Sequence, residues 1–424
     1  MQSHLLIGAI ILLTALTLLG CPKSNVVTPP PESNLIRINV TRLYPNEPVI
    51  DAVRITITRT SDGTVVMPGR KIELTASTGN MSLVTDRGNG DYEAVWTGSS
   101  TGEVAVIARD LDSDPPVESS LTFLAMAYLE TAWDVPVKLA SPVSTDGWDT
   151  APFLYPDGNH LAFAYITLDL AALSAGVSRP IGQERPGQVT PQTLNIYLAD
   201  HPKNILSRWT GWTVEHAQCN LFQATPTSLA APSITSNGQS AFCTVQEFNG
   251  TSYTPASICA VDPEFSTAPV PLGPPVDIEG FGEDNPYLDV TQGWLYFDTY
   301  DLSDPLSKQD IRGARSLGGG VFDAPLLISG NLNTADVETQ PFVYEPTSTL
   351  YFASDRQQEE FQLAIWRIPI YADQANGMAE LVAKGMLAVG KPSISYDGKW
   401  LCFAYARAES GGANADIAMA HRVE

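Results

Sequence analysis

Apolar and polar residues alternate in short runs along most of the chain, and Gly, Pro, Asp or Asn interrupts every run. "AVRITITRT" (52–60), "RKIELTAS" (70–77), "GDYEAVWTG" (90–98) and "GEVAVIARD" (102–110) each put every second side chain on an apolar face. A period of two is that of a half-buried strand, and turn residues between the runs predict short antiparallel strands. Several such strands within about ninety residues suggest a sandwich.

Beyond residue 126 the pattern repeats. "APFLYPDGNHLAFAYI" from 151, "APSITSNGQSAFCTVQ" from 231, "NPYLDVTQGWLYFDTY" from 285, "QPFVYEPTSTLYFASD" from 340 and "KPSISYDGKWLCFAYA" from 391 align on Pro152, Pro232, Pro286, Pro341 and Pro392. Each copy reads as a strand, a turn and a second strand carrying Phe163, Phe242, Phe297, Phe352 or Phe403, followed by a third strand ("NIYLAD", "SICAVD", "DIRGAR", "AIWRIP", "DIAMAH"). The Pro-to-Pro spacings are 80, 54, 55 and 51 residues, so the first copy holds an insertion, placed at 167–190. A unit of three or four strands repeating at about fifty residues predicts a β-propeller, in which each blade buries its faces against its neighbours.

The last copy stops after its third strand. "WDVPVKLASPVSTDGWDTAPF" (133–153) has the same plan as "FDAPLLISGNLNTADVETQPF" (322–342), yet no complete unit precedes it. Residues 135–140 are therefore expected to supply the missing outer strand and close the ring, removing exposed strand edges.

Three resemblances refine this picture. Val66, Pro68, Gly69, Thr85, Asp86, Gly90 and Tyr92, within 61–108, resemble the pattern of bacterial immunoglobulin-like domains of the invasin and intimin type. That resemblance implies a stalk or spacer. "PFLYPDGNHLAFAY", "LYFASDR" and "SISYDGKWLCFAYA" resemble the TolB-type propeller repeat, which implies a binding scaffold. At the N-terminus the apolar run Leu5 to Leu19 suits the core of a signal peptide, and "LLGC" (18–21) resembles the bacterial lipobox, which implies cleavage before Cys21 and acylation of that residue. "PKSNVVTPPPESN" then reads as an extended tether. Pro22 and Lys23 are not the Asp that retains such lipoproteins at an inner membrane, so an outer membrane is expected.

The expected organisation is a signal peptide (1–20), a Pro-rich tether (21–34), an immunoglobulin-like domain (35–125) and a propeller (126–424). The fold class is all-β, a sandwich followed by a five-bladed propeller closed by an N-terminal strand. Composition agrees, since 32 Gly and 32 Pro in 424 residues argue against long helices. With 47 Asp and Glu against 24 Lys and Arg the formal charge is −23, which repels phosphate backbones and excludes nucleic acid as a partner.

Candidate chemistry is sparse. In an exported chain disulfides are permitted, and Cys243 and Cys259, on neighbouring strands of one repeat, are a candidate pair, with Cys219 an alternative partner and Cys402 a buried thiol. No metal spacing, nucleophile elbow or phosphate loop appears, so no catalytic residue, metal or cofactor is assigned. Asp149, Asp284 and Glu338 stand two or three residues before the repeated Pro, which would put them near the mouth of the central channel as candidate ligand residues. The expected function is non-catalytic binding or scaffolding of a protein partner at the cell envelope, the membrane being reached through the lipid. The alternative is a carbohydrate-active hydrolase or lyase using those carboxylates.

Overall fold

The computed structural model describes residues 36–60, 66–99, 101–169, 179–188, 193–202, 208–222, 227–247, 254–303, 308–357, 362–407 and 414–423. The signal-peptide run, Cys21, the tether and much of the 167–190 insertion lie outside the described residues. The described chain is all-β, with short 3-10 turns at Gln218–Phe222 and Glu345–Thr347.

The N-terminal module consists of two facing sheets. Ile36–Arg42, Ala52–Arg59 and Asp91–Thr97 form one, and Ile72–Ala76, Gly102–Asp110 and Val117–Ala125 the other. The alternation read from the sequence sends Val53, Ile55, Ile57, Tyr92, Trp96, Val104, Val106 and Phe123 into a common core. Trp96 and Phe123 meet edge to face at 5.2 Å, and the Trp96 indole N–H donates to the Thr78 carbonyl at 2.7 Å. At one end the Asp110 carboxylate is fully buried between the guanidinium groups of Arg59 and Arg70.

The rest of the chain forms consecutive antiparallel meanders around one axis, the arrangement of a β-propeller. The first runs through Trp148–Leu154, His160–Ile166, Asn195–Asp200 and Thr213–His216. The second runs through Thr227–Ile234, Ala241–Glu247, Ser257–Val261 and Val270–Pro271. The third comprises Phe281–Asp289, Trp294–Asp301, Gln309–Gly318 and Leu326–Leu327. The fourth comprises Glu338–Tyr344, Thr349–Ser354, Ala364–Tyr371 and Glu380–Lys384, with Tyr128–Leu129 added at its outer edge. The last comprises Val389–Ile394, Trp400–Ala406 and Ala415–His421, and its outer strand is Val137–Lys138. The repeated Phe163, Phe242, Phe297, Phe352 and Phe403 are all buried in second strands.

Val137 pairs with Met419 on one side and with Phe123 on the other. The strand that completes the last meander is thus also a neighbour of the sandwich's final strand, and the sheet runs from one module into the other. Arg42, buried, reinforces this junction by donating to the carbonyls of Leu129 and Glu130.

The repeated Pro marks a bulge. In every meander the first strand shifts register at this point, and the residue before Pro has left-handed backbone: Ala151 (φ 50°), Ala231 (46°), Asn285 (58°), Gln340 (59°) and Lys391 (54°). Such a conformation costs an L-residue about 1–2 kcal/mol, so the surrounding ladder must hold it. Its effect is to turn the inner strand so that these residues and the prolines meet at the axis.

Candidate functional site

The axial cavity is lined by these bulges. Ala151, Ala231, Asn285, Gln340 and Lys391, their prolines, and Phe153, Ser233, Tyr287 and Phe342 surround a space of about 40 Å³. It is asymmetric, with Ala151 and Ala231 on one side and Asn285, Gln340 and Lys391 on the other. Phe153, Tyr287 and Phe342 also line a second cavity beyond them, of about 20 Å³. Their rings stand 4.9–6.2 Å apart and form an aromatic plug across the axis. Beneath it Glu345, nearly buried, accepts hydrogen bonds from Ser236 (2.8 Å), Tyr287 (3.1 Å) and Thr291 (2.6 Å).

The polar side of the mouth is a connected network. Lys391 donates its backbone N–H to Gln340 Oε1 at 2.6 Å, and its ammonium is hydrogen-bonded to Asn285 Oδ1. Asn285 Nδ2 donates to Asp298 Oδ1 at 2.8 Å, which also accepts the Gln340 N–H at 2.9 Å. Gly390 leaves the space this needs, since a Cβ there would lie 2.3 Å from Gln340 Oε1. Asp298 is fully buried and its Oδ2 has no hydrogen-bond partner among the described residues. Burial, and secondarily the neighbouring Asp284, pushes its carboxyl up to about 7, with Lys391 acting in the opposite direction.

The structure places the three candidate acids in two kinds of surroundings. Asp149 and Glu338 are fully buried and do not line the axial cavity. Asp149 accepts the Thr145 N–H at 2.7 Å and its hydroxyl at 3.0 Å, and pairs with the Arg185 guanidinium. Glu338 accepts the Thr334 N–H and hydroxyl, both at 2.7 Å, and pairs with Arg356 at 2.9 Å. Each Arg stacks on aromatic rings, Arg185 4.3 Å from the centre of Tyr165 and Arg356 4.8 Å from that of Phe352. The two clasps are alike although Arg356 follows the second strand of its meander and Arg185 comes from the insertion. The expectation that both acids face the channel is corrected: each fastens its own loop to its own sheet.

Asp284 occupies a different register. It lies opposite Asp298 and accepts hydrogen bonds from Thr244 Oγ1 (2.6 Å) and the Asn285 N–H (2.7 Å), which ties it to the mouth network. The residue three before Pro286, matching Asp149 and Glu338, is Glu283. Glu283 is buried, accepts the Ile278 N–H at 2.9 Å, and burial pushes its carboxyl up to about 7.

Asn285, Gln340, Lys391 and Asp298 were not anticipated from the sequence. The residue before the repeated Pro reads Ala, Ala, Asn, Gln, Lys through the copies, and the residue after the repeated Phe reads Ala164, Cys243, Asp298, Ala353, Ala404. Both columns carried the signal, a polar or charged side chain where other copies place a small one.

Cys243 and Cys259 are directly opposed on neighbouring strands, as the candidate pairing required, but Cys219, Cys243, Cys259 and Cys402 are all free buried thiols. The expected disulfide is corrected to that extent. Burial pushes Cys219 and Cys259 up to about 12 and Cys243 well above the ordinary thiol range, so none is a reactive thiolate. Among the described residues no group of three His, Cys, Asp or Glu is placed to hold a metal ion, and no helix is long and apolar enough to cross a membrane.

By sequence the chain matches no protein-family model and no curated protein. Among solved structures it is similar to a TolB-like protein from Agrobacterium tumefaciens, with a TM-score of 0.38, 13% identity, and coverage of 77% of this chain and 100% of that one. It is also similar to a thermostable family-43 glycoside hydrolase (TM-score 0.44, 12% identity, 66% and 91% covered). A third similarity is to a puromycin hydrolase (TM-score 0.37, 13% identity), of which it spans 53%.

Proposed function

We propose that the chain is a lipid-anchored protein of the bacterial cell envelope, held at an outer membrane through Cys21. In this reading an immunoglobulin-like module (35–125) carries a five-bladed TolB-type propeller (126–424) that binds a protein partner without catalysis. The observation that carries the reading is how the acids are used. Asp149 and Glu338 are consumed in buried ion pairs with Arg185 and Arg356, whereas Asn285, Gln340 and Lys391 line the axial mouth. Glycoside hydrolysis canonically uses two carboxyl groups flanking the scissile bond, and two of the three candidate acids, Asp149 and Glu338, are buried away from the axial cavity. A mouth of about 40 Å³ above an aromatic plug suits the tip of a partner's side chain rather than a sugar ring.

The lipid assignment is tested by incorporation of a labelled fatty acid, which Cys21→Ser is expected to abolish. The binding assignment is tested by crosslinking the lipidated chain in intact envelopes and recovering it in detergent. Recovery of one protein in stoichiometric amount supports it, and recovery of the chain alone contradicts it.

A further inference from the structure

A second surface lies where the sandwich meets the propeller. Ile36–Arg42 is an edge strand, pairing only with Ala52–Arg59 among the described residues. Its hydrogen-bonding phase is fixed at its end. Leu43 donates its N–H inward to the Ala52 carbonyl, whereas Arg42 donates outward to Asp134 Oδ1 at 2.7 Å. In an antiparallel pair successive residues alternate between facing the partner strand and facing away. Ile36, Ile38 and Val40, which share the phase of Arg42, therefore point their backbone N–H and C=O groups away from the sheet.

That edge borders a groove. One cavity of about 470 Å³ lies between residues 37–41 and a wall of Arg208, Trp209, Trp400 and His421, with Asp134 at its end. A second, of about 190 Å³, lies between Ile36–Ile38 and Lys138, Ala140 and Trp209. Trp209 and Trp400 pack edge to face at 5.7 Å, with Arg208 over Trp400 at 5.7 Å and His421 against it at 4.6 Å. The lining is also cationic in a chain of net charge −23. Arg37 lines both spaces and Arg208 the larger one, Lys138 borders the smaller with its ammonium already paired to Asp416 and Glu103, and the acid Asp134 is occupied by the N–H groups of Arg42 and Val135.

We propose that this groove binds an extended acidic peptide segment of a partner by strand addition to the Ile36–Val40 edge. The outward amides and carbonyls supply main-chain pairing, Trp209 and Trp400 receive alternate side chains, and the cationic lining selects acidic ones. Asp134 ends the site by capping the Arg42 amide. The inference rests on the reading that the chain is a binder, but it names a surface separate from the axial mouth, so either can fail alone.

The test uses the full chain and a fluorescein-labelled peptide alternating Glu with Val and Thr, with a Lys-for-Glu counterpart and a version N-methylated at alternate residues. Binding is read by anisotropy and by hydrogen exchange along the chain. The acidic peptide is expected to bind saturably and to slow exchange at 36–40. Its affinity is expected to fall roughly tenfold in Trp209→Ala and in Arg208→Ala, each verified by its melting curve, and to vanish on N-methylation. Absence of binding, equal binding of the Lys or N-methylated peptide, or protection around Lys391 instead of Ile36–Val40 would overturn the proposal. Loss of peptide binding in Lys391→Ala would move the site to the axial mouth.

Discussion

The Lys138 ammonium is hydrogen-bonded to the Asp416 carboxylate, 278 residues further along the chain. This contact lies beside the pairing of Val137 with Met419 that supplies the last meander with its outer strand. Asp416 is fully buried, and Arg407 is its other cation, at 3.5 Å. Removing one partner of a buried ion pair strands the other charge at a cost of roughly 3–5 kcal/mol. Lys138→Ala is expected near the lower end, because Arg407 remains, and deletion of 133–141 is expected to cost more although it removes no complete repeat. Thermal melts check both, and unchanged midpoints would mean that the ring does not depend on this strand.

The two Arg clasps make a second prediction. Glu338→Gln or Arg356→Met alone should destabilise by roughly 3–5 kcal/mol, since the remaining charge is left buried. The double variant should recover a substantial part of that loss, because no unpaired charge remains. A double-mutant cycle in denaturant measures it. Additive losses would show that the pair does not act as a unit.

The pH dependence has a definite sign. Glu283, Asp298 and Asp416 are all pushed up to about 7 by burial, far above the ordinary carboxyl range. Between about pH 4 and 7 the folded chain therefore holds more protons than the unfolded chain, and stability falls as pH rises through this window. His216, held down to about 4 by burial, opposes this between about 4 and 6.5, one group against three. Asp110 acts at lower pH. Burial alone would raise it, but hydrogen bonds from Arg59 and Arg70 hold it down to about 2, and that stabilisation is lost as pH falls below about 4. The melting temperature is expected to be higher at pH 5 than at pH 8, and the reverse order would remove the buried carboxyls as the dominant titrating groups.

The thiols make a simpler prediction. Cys219, Cys243, Cys259 and Cys402 should resist alkylation in the folded chain at neutral pH and all react once it is unfolded, without a reductant. Mass spectrometry of non-reduced protein decides it, because a Cys243–Cys259 disulfide would leave both unlabelled in denaturant.

The meanders were legible because their signals are local. A Pro, a turn and a buried Phe recur at nearly constant spacing, and alternation marks which face of each strand is buried. The outer strand at Val137–Lys138 was legible for a topological reason, a copy that lacked its last strand. What the sequence hid was register and partnership. The bulge falls between Asp284 and Tyr287, so of the two acids before Pro286 it is Glu283, three residues away, that shares the register of Asp149 and Glu338, and Asp284 turns instead to the mouth network. Nothing local shows that Arg185, within an insertion, reaches the same position as Arg356 does from a strand end. The mouth residues follow from left-handed backbone at the position before each Pro, a conformation that neither Gln340 nor Lys391 advertises.

In the proposed function the axial mouth holds the envelope partner, separately from any peptide at the Ile36–Val40 edge, and the clasped acids only hold the fold. Quantitative capture of the envelope partner by the intact chain and by a Gln340→Ala/Lys391→Ala variant of unchanged melting temperature tests this assignment most directly. The variant is expected to lose most of the partner. Equal capture by both would contradict it.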